Sequence, residues 1–175
     1  MKNAIIQVYT GNGKGKTTAA MGAVLRAAGH GYKVAVFQFL KLGKYIEGEQ
    51  EAFKKIKRVK FIRFNQESPI FNRVLDKEKL KKTVKKDFEM VTQKLASGSF
   101  GLVVLDELTH VVNLKLLDAE YVVKSLKKRH KNTDVIITGR DCHTKLMDCA
   151  DLITDMRPVK HPYTGAAIAR KGIEF

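Results

Sequence analysis

Residues 10–20 read TGNGKGKTTAA, and the fold turns on how that stretch is understood. A phosphate-binding loop normally runs Gly, four residues, then Gly-Lys-Ser/Thr. Gly15, Lys16 and Thr17 supply the end of that pattern, but its first Gly should fall at position 10, which is Thr10. The cradle itself does not need that glycine. It needs consecutive backbone N–H groups pointing inward, and glycines that permit tight turns and close approach of phosphate. Gly11, Gly13 and Gly15 provide these, and a following helix adds its positive N-terminal end. Thr10 fits the point where the loop leaves a strand if its φ stays negative, with Gly11 taking any unusual turn. Lys16, expected to stand exposed in the loop, would neutralise phosphate oxygens. The Thr17 hydroxyl would reach a bound Mg²⁺. Gly11, Asn12, Gly13, Lys14, Gly15, Lys16, Thr17 and Thr18 are therefore the candidate triphosphate contacts.

The flanking sequence supplies the context this motif requires. AIIQVY (4–9) is a short apolar strand run, KTTAAMGAVLRAA (16–28) an Ala-rich helix with Gly29 as its stop, and YKVAVFQFL (32–40) a second strand. Strand, glycine loop, helix and strand make the βαβ unit of a parallel sheet. LGKYIEGEQEAFKKI passes from a polar loop into a helix, and VKFIRF (59–64) is a third strand. Leu80, Val84, Phe88, Val91 and Leu95 recur at helical spacing between Asp76 and Leu95, with Lys on the outer face. FGLVVLDE is an uninterrupted apolar run, as a strand covered on both faces requires. Ala119, Val122, Val123 and Leu126 mark another helix. DVIITG is a fifth strand and ADLITDMRPVKH holds a sixth, with which AAIARKGIEF could pair after the turn PYTG. The expected fold is α/β, of the three-layer P-loop NTPase type: a mainly parallel sheet of about six strands with helices on both faces, in a single domain spanning 1–175.

Composition bounds the function classes. At 175 residues, 44 % hydrophobic and 29 % charged, the chain can bury a core without staples. Lys and Arg number 33 against 18 Asp and Glu, a net charge of +15. That excess suits an anionic partner such as nucleotide phosphates or nucleic acid. The lysines are scattered over several segments, which favours a solvated basic surface instead. Two cysteines, Cys142 and Cys149, are too few for a disulfide framework, and Cys142-His143 is at most half a metal site. The expected setting is the reducing cytoplasm, with no secretory leader and no apolar run long enough to span a membrane.

LVVLDE (102–107) is the natural partner of the loop. A carboxylate closing a buried strand beside it can hold Mg²⁺ directly or through water. Asp106 occupies that position, and Glu107 is either a second metal contact or a base that activates water. A strand-end pair capping the LTHVV segment is the plainer alternative. Two chemistries stay open on this ground: attack on the γ-phosphorus by water or a hydroxyl, or attack on a carbon of the nucleotide.

The whole chain resembles the P-loop type of ATP:co(I)rrinoid adenosyltransferases. The matching stretches are TGNGKGKTTAA, RAAGHG (26–31), VAVFQFLK (34–41), VVLDELTH (103–110), VIITGRDCH (135–143) and RPVKH (157–161), in family order over nearly the full length. Thr in first place of the loop is typical of that family. The resemblance implies transfer of the 5′-deoxyadenosyl group of ATP to the Co(I) of a reduced corrinoid, with inorganic triphosphate leaving. It implies that ATP lies reversed, its γ-phosphate deep in the loop and ribose C5′ outward. Lys16, Thr17 and Glu107 would then carry catalysis, with Thr17, Glu107 and Asp106 organising Mg²⁺ or Mn²⁺. Arg26 resembles a family arginine near the nucleotide, or is a surface helix residue. Gln38, Phe39, Lys41, Arg140, Lys160 and His161 fall in segments implied to line the corrinoid site, His161 as contact or packing rather than cobalt ligand.

The sequence departs from the family in two places. Enteric-type members carry a Trp with aromatic neighbours after the third strand, whereas this chain has no Trp. Its stretch there is FNQESPIFN, with Phe64 and Phe71 as the aromatics available to substitute. The N-terminal extension of those members, which helps cover the site, is also expected to be lacking. A homodimer and a reductant that supplies Co(I) are implied as partners, with no membrane. The alternatives are a P-loop NTPase acting on nucleic acid, and a corrinoid-binding or nucleotide-sensing protein without turnover.

Overall fold

The computed structural model describes residues 4–41, 48–69, 72, 74–160 and 170–173. Six parallel strands form one sheet in the order β3-β2-β4-β5-β1-β6. They are β1 (Ile6–Thr10), β2 (Val34–Gln38), β3 (Val59–Arg63), β4 (Leu102–Asp106), β5 (Asp134–Thr138) and β6 (Leu152–Asp155). The helices are α1 (Lys16–Gly29), α2 (Gly48–Phe53), α3 (Lys77–Ala96), α4 (Leu108–Asn113), α5 (Ala119–Lys127) and α6 (Thr144–Asp148). None of the described helices is long and apolar enough to cross a membrane.

Period-2 alternation divides the strands between two cores. Ala35, Phe37, Val103, Leu105, Val135 and Ile137 pack with Leu80, Val84, Phe88, Val91 and Leu95 of α3 and with Val122 and Leu126 of α5. The intervening residues Val34, Val36, Leu102, Val104 and Ile136 face the other way, against Ala20, Met21 and Val24 of α1 and Phe53 of α2. Both faces of the sheet are therefore covered, which makes the three layers and explains why β2 and β4 read as unbroken apolar runs.

The expected elements differ in detail. α1 ends at Gly29 as expected, but the left-handed residue that closes it is Gly31: it takes φ 83°, its N–H donates to Ala28 O, and the Tyr32 N–H donates to Ala27 O. That is a Schellman closure, which needs the left-handed residue just past the cap. The short helices α4 and α6 fall where no separate helix is expected. The sixth strand stops at Asp155, before the MRPVKH part of its segment. Of AAIARKGIEF, only residues 170–173 are described; they form a turn closed by the Ile173 N–H on Arg170 O, so pairing by the rest lies outside the described residues.

Candidate active site

The carboxyl ends of the central strands bring the site together, as open α/β sheets do. Register places Gln38 of β2 opposite Asp106 of β4, and Tyr9 of β1 opposite Thr138 of β5. The glycine loop leaves β1 at Thr10, whose φ is not positive, and Gly11 takes the turn at φ 95°. Thr10 has work of its own in the glycine position: its hydroxyl accepts the Cys142 N–H at 3.2 Å, tying the loop base to the turn after β5. The segment after β6 runs across the loop. The Met156 N–H donates to Thr10 O at 2.9 Å, and the Gly13 N–H donates to Met156 O at 2.6 Å. A Cβ on Gly13 would stand 2.6 Å from that same oxygen, so this glycine is required by close packing.

Lys16 is buried, not exposed as expected. Its ammonium folds back into the loop, donating to Gly11 O at 2.7 Å and Gly13 O at 2.6 Å. Burial and then the nearby Arg140 guanidinium push its pKa below the ordinary lysine value, partly offset by Glu107, Asp106 and Asp141. A phosphate there would relieve the strain between these cations. Asp106, fully buried, is the node of the site. Its Oδ1 accepts Thr17 Oγ1 at 2.9 Å and Thr138 Oγ1 at 2.5 Å. Its Oδ2 accepts Gln38 Nε2 at 2.9 Å and lies 3.3 Å from Lys41 Nζ. Burial pushes this carboxyl upward, but Lys41 and the hydrogen bonds from Thr138, Gln38 and Thr17 outweigh it and hold the pKa below its ordinary value.

Glu107 follows at φ 63°, and its backbone N–H donates to Thr138 Oγ1 at 3.1 Å. Its Oε2 sits 2.6 Å from His110 Nδ1. The donor set suits a hard divalent cation. Thr17 gives its proton to Asp106 and keeps lone pairs to offer, while both Asp106 oxygens already accept. Glu107 is the less committed carboxylate. Among the described residues no three His, Cys, Asp or Glu cluster as metal ligands. A cation here would accordingly share its shell with nucleotide phosphates, the usual arrangement for Mg²⁺.

The family model for ATP:corrinoid adenosyltransferase BtuR/CobO/CobP matches residues 2–175. The chain belongs to this family. It is 38 % identical over 175 residues to the corrinoid adenosyltransferase of Escherichia coli K12, covering 99 % of this chain and 87 % of that one. Corrinoid adenosyltransferase CobA of Salmonella typhimurium LT2 is likewise 38 % identical, over 177 residues, with coverage of 99 % and 87 %. The Pseudomonas aeruginosa PAO1 corrinoid adenosyltransferase is 33 % identical over 174 residues, covering 99 % and 85 %.

The other residues that the adenosyltransferase resemblance singled out are placed unevenly. Arg140 and Lys41 join the loop and its carboxylates. Arg140 is exposed, and its carbonyl accepts Thr109 Oγ1 at 2.8 Å, which ties the turn after β5 to α4. Gln38 is buried and serves Asp106. Phe39 and Phe64 are also buried, ring centroids 4.9 Å apart, and Phe39 continues to Phe88 of α3. As placed, these two aromatics fill the core and leave no face open to a second substrate. Arg26 lies ten residues beyond Lys16 on α1, roughly 15 Å along the axis. It is exposed and near enough to Tyr9 to act on its phenol, away from the loop. Lys160 is exposed, four residues past Met156. Phe71 and His161 lie outside the described residues. Half a metal site at Cys142-His143 gains no cluster of further ligands among the described residues: His143 Nδ1 accepts the Lys145 N–H at the start of α6, and burial pushes the Cys142 thiol up to about 11. Sequence reasoning missed the Met156 crossing, which leaves no local pattern. It also missed His110, whose signal was its spacing three residues after Glu107.

Proposed function

We propose that this chain, acting as a single domain, transfers the 5′-deoxyadenosyl group of ATP to the Co(I) of a reduced corrinoid and releases triphosphate. The observation that carries this reading is the full-length family match on a chain whose loop, Thr17 and Asp106 are tied into one charged phosphate site. The match favours it over an NTPase acting on nucleic acid. The Co(I) electron pair forms the Co–C bond to C5′, the C5′–O5′ bond breaks, and its electrons leave on the triphosphate. Co(I) is itself the nucleophile, so no general base is required. The protein's contribution is positioning and stabilisation of the leaving charge.

In this reading the amides of Gly11 to Thr18, apart from the Gly13 N–H that is spent on Met156 O, and the Lys16 ammonium hold the triphosphate, with Lys41 and Arg140 adding positive charge. Thr17 and Glu107 would hold Mg²⁺ or Mn²⁺, with Asp106 orienting Thr17. When bound, that cation supplies further charge to the leaving group. A lysine whose charged form burial disfavours gains more from a phosphate than an exposed one would. The same resemblance supports a reversed ATP, a homodimer, a cytoplasmic setting and a separate reductant that supplies Co(I). The test is incubation of the full chain with ATP, Mg²⁺ and chemically reduced cobalamin. A light-sensitive Co–C bond is expected. ATP consumption without one would sink the proposal.

A further inference from the structure

We infer that His110 is a positioning residue that fixes the Glu107 carboxylate for the divalent cation accompanying ATP; this rests on the function proposed above. Glu107 precedes α4 in a left-handed conformation, and its side chain caps none of the helix N–H groups. A glutamate in that position has nothing on its own backbone to hold it. The fixed contact comes from the helix's third residue: His110 Nδ1 lies 2.6 Å from Glu107 Oε2. That oxygen is buried, and apart from this close approach of the imidazole it has no polar partner among the described residues; the contact lacks the alignment of a hydrogen bond. With Nδ1 carrying a proton, the positive edge of the ring faces that oxygen at contact distance and offsets part of the cost of burying it.

Gly139, at φ 137°, lies beside the same oxygen. A Cβ there would stand 3.4 Å from Glu107 Oε2 and would collide with Thr109 Oγ1. The oxygen thus lies against both the imidazole and the turn after β5. That turn is itself held by Thr109 Oγ1 on Arg140 O and by Asn113 Nδ2 on Asp141 O at 2.9 Å. With Oε2 engaged, the accessible part of the Glu107 side chain includes Oε1, which is neither buried nor bonded within the described chain. One oxygen is spent on orientation and the other is kept for a ligand. This division is what a support for a metal-binding carboxylate achieves, and loss of such supports typically costs 10–100-fold in metal affinity or activity.

The test compares His110→Phe, which keeps the ring volume without the polar nitrogen, with His110→Asn, whose amide nitrogen stands as many bonds from Cα as Nδ1. Mn²⁺ binding to the full chain with ATP, and no corrinoid, is followed by electron paramagnetic resonance. His110→Phe is expected to weaken Mn²⁺ binding about tenfold or more, and His110→Asn to stay within about threefold of the parent. Mn²⁺ affinity of the Phe variant within twofold of the parent would overturn the assignment. So would an Asn variant as weak as the Phe variant, or a parent chain that binds no Mn²⁺ with ATP. Because no corrinoid is present, the Mn²⁺ affinities decide the role of His110 whether or not the chain forms a Co–C bond. The two ideas therefore fail separately.

Discussion

The loop end of the sheet and the segments that flank it behave differently. At the loop, backbone and side chains interlock: Lys16 on two loop carbonyls, Thr17 on Asp106, Gly13 on Met156, Thr10 on the turn after β5. After β3, by contrast, Phe64 turns inward onto Phe39, and Lys160 after β6 stands exposed. A triphosphate site is built from main-chain geometry and a few buried charges, so short local spacing specifies it. A site for a large second substrate is assembled from connecting loops, where spacing carries little information.

Asp106→Ala attacks the node of the first region and should have the largest effect. It removes the partner shared by Lys41, Gln38, Thr17 and Thr138. A buried ion pair broken from one side costs up to about 5 kcal/mol, and because Lys41 is partly exposed we expect about 2–4 kcal/mol in chemical denaturation. Adenosyl transfer should be abolished. The same carboxyl predicts an acid limit. Its folded pKa is depressed, so its stabilisation is complete above the ordinary value of 3.8 and is lost as pH falls through the lower folded value. Acid unfolding of the parent with its midpoint well above that value would assign the limit to other groups.

Lys16→Ala should weaken inorganic triphosphate binding by roughly 10–150-fold, about 1.5–3 kcal/mol, measured by calorimetry. Arg26→Ala should leave it within about threefold, because Arg26 lies along the helix away from the loop. Equal losses in the two variants would erase the distinction between loop and helix surface. Gly13→Ala sharpens it from another side. The added methyl meets the Met156 carbonyl, so a loss of about 1–3 kcal/mol in stability is expected, with weaker ATP binding. Phe64→Leu should lower stability by about 1 kcal/mol with transfer to cobalamin nearly unchanged. A specific loss of corrinoid affinity in that variant would restore Phe64 to the second site.

Much of the fold was legible because burial on both sheet faces writes itself as apolar runs, as in Leu102 to Leu105. The same periodicity already carried the fate of Phe39. It shares parity with Ala35 and Phe37, and so shares their core face. What the sequence could not show were contacts made by backbone atoms far apart in the chain. The burial of Lys16 depends on two carbonyls of its own loop, and the need for glycine at 13 depends on a strand end 143 residues later. The closure of α1 by Gly31, two residues past its end at Gly29, turned on which of two glycines met the left-handed requirement.

The central claim concerns what leaves the loop. ATP labelled with ³²P at the γ-phosphate, incubated with Mg²⁺ and reduced cobalamin, separates the possibilities directly. All released label is expected as inorganic triphosphate, one per Co–C bond formed and none without corrinoid. Label released as orthophosphate, independent of corrinoid, would contradict adenosyl transfer.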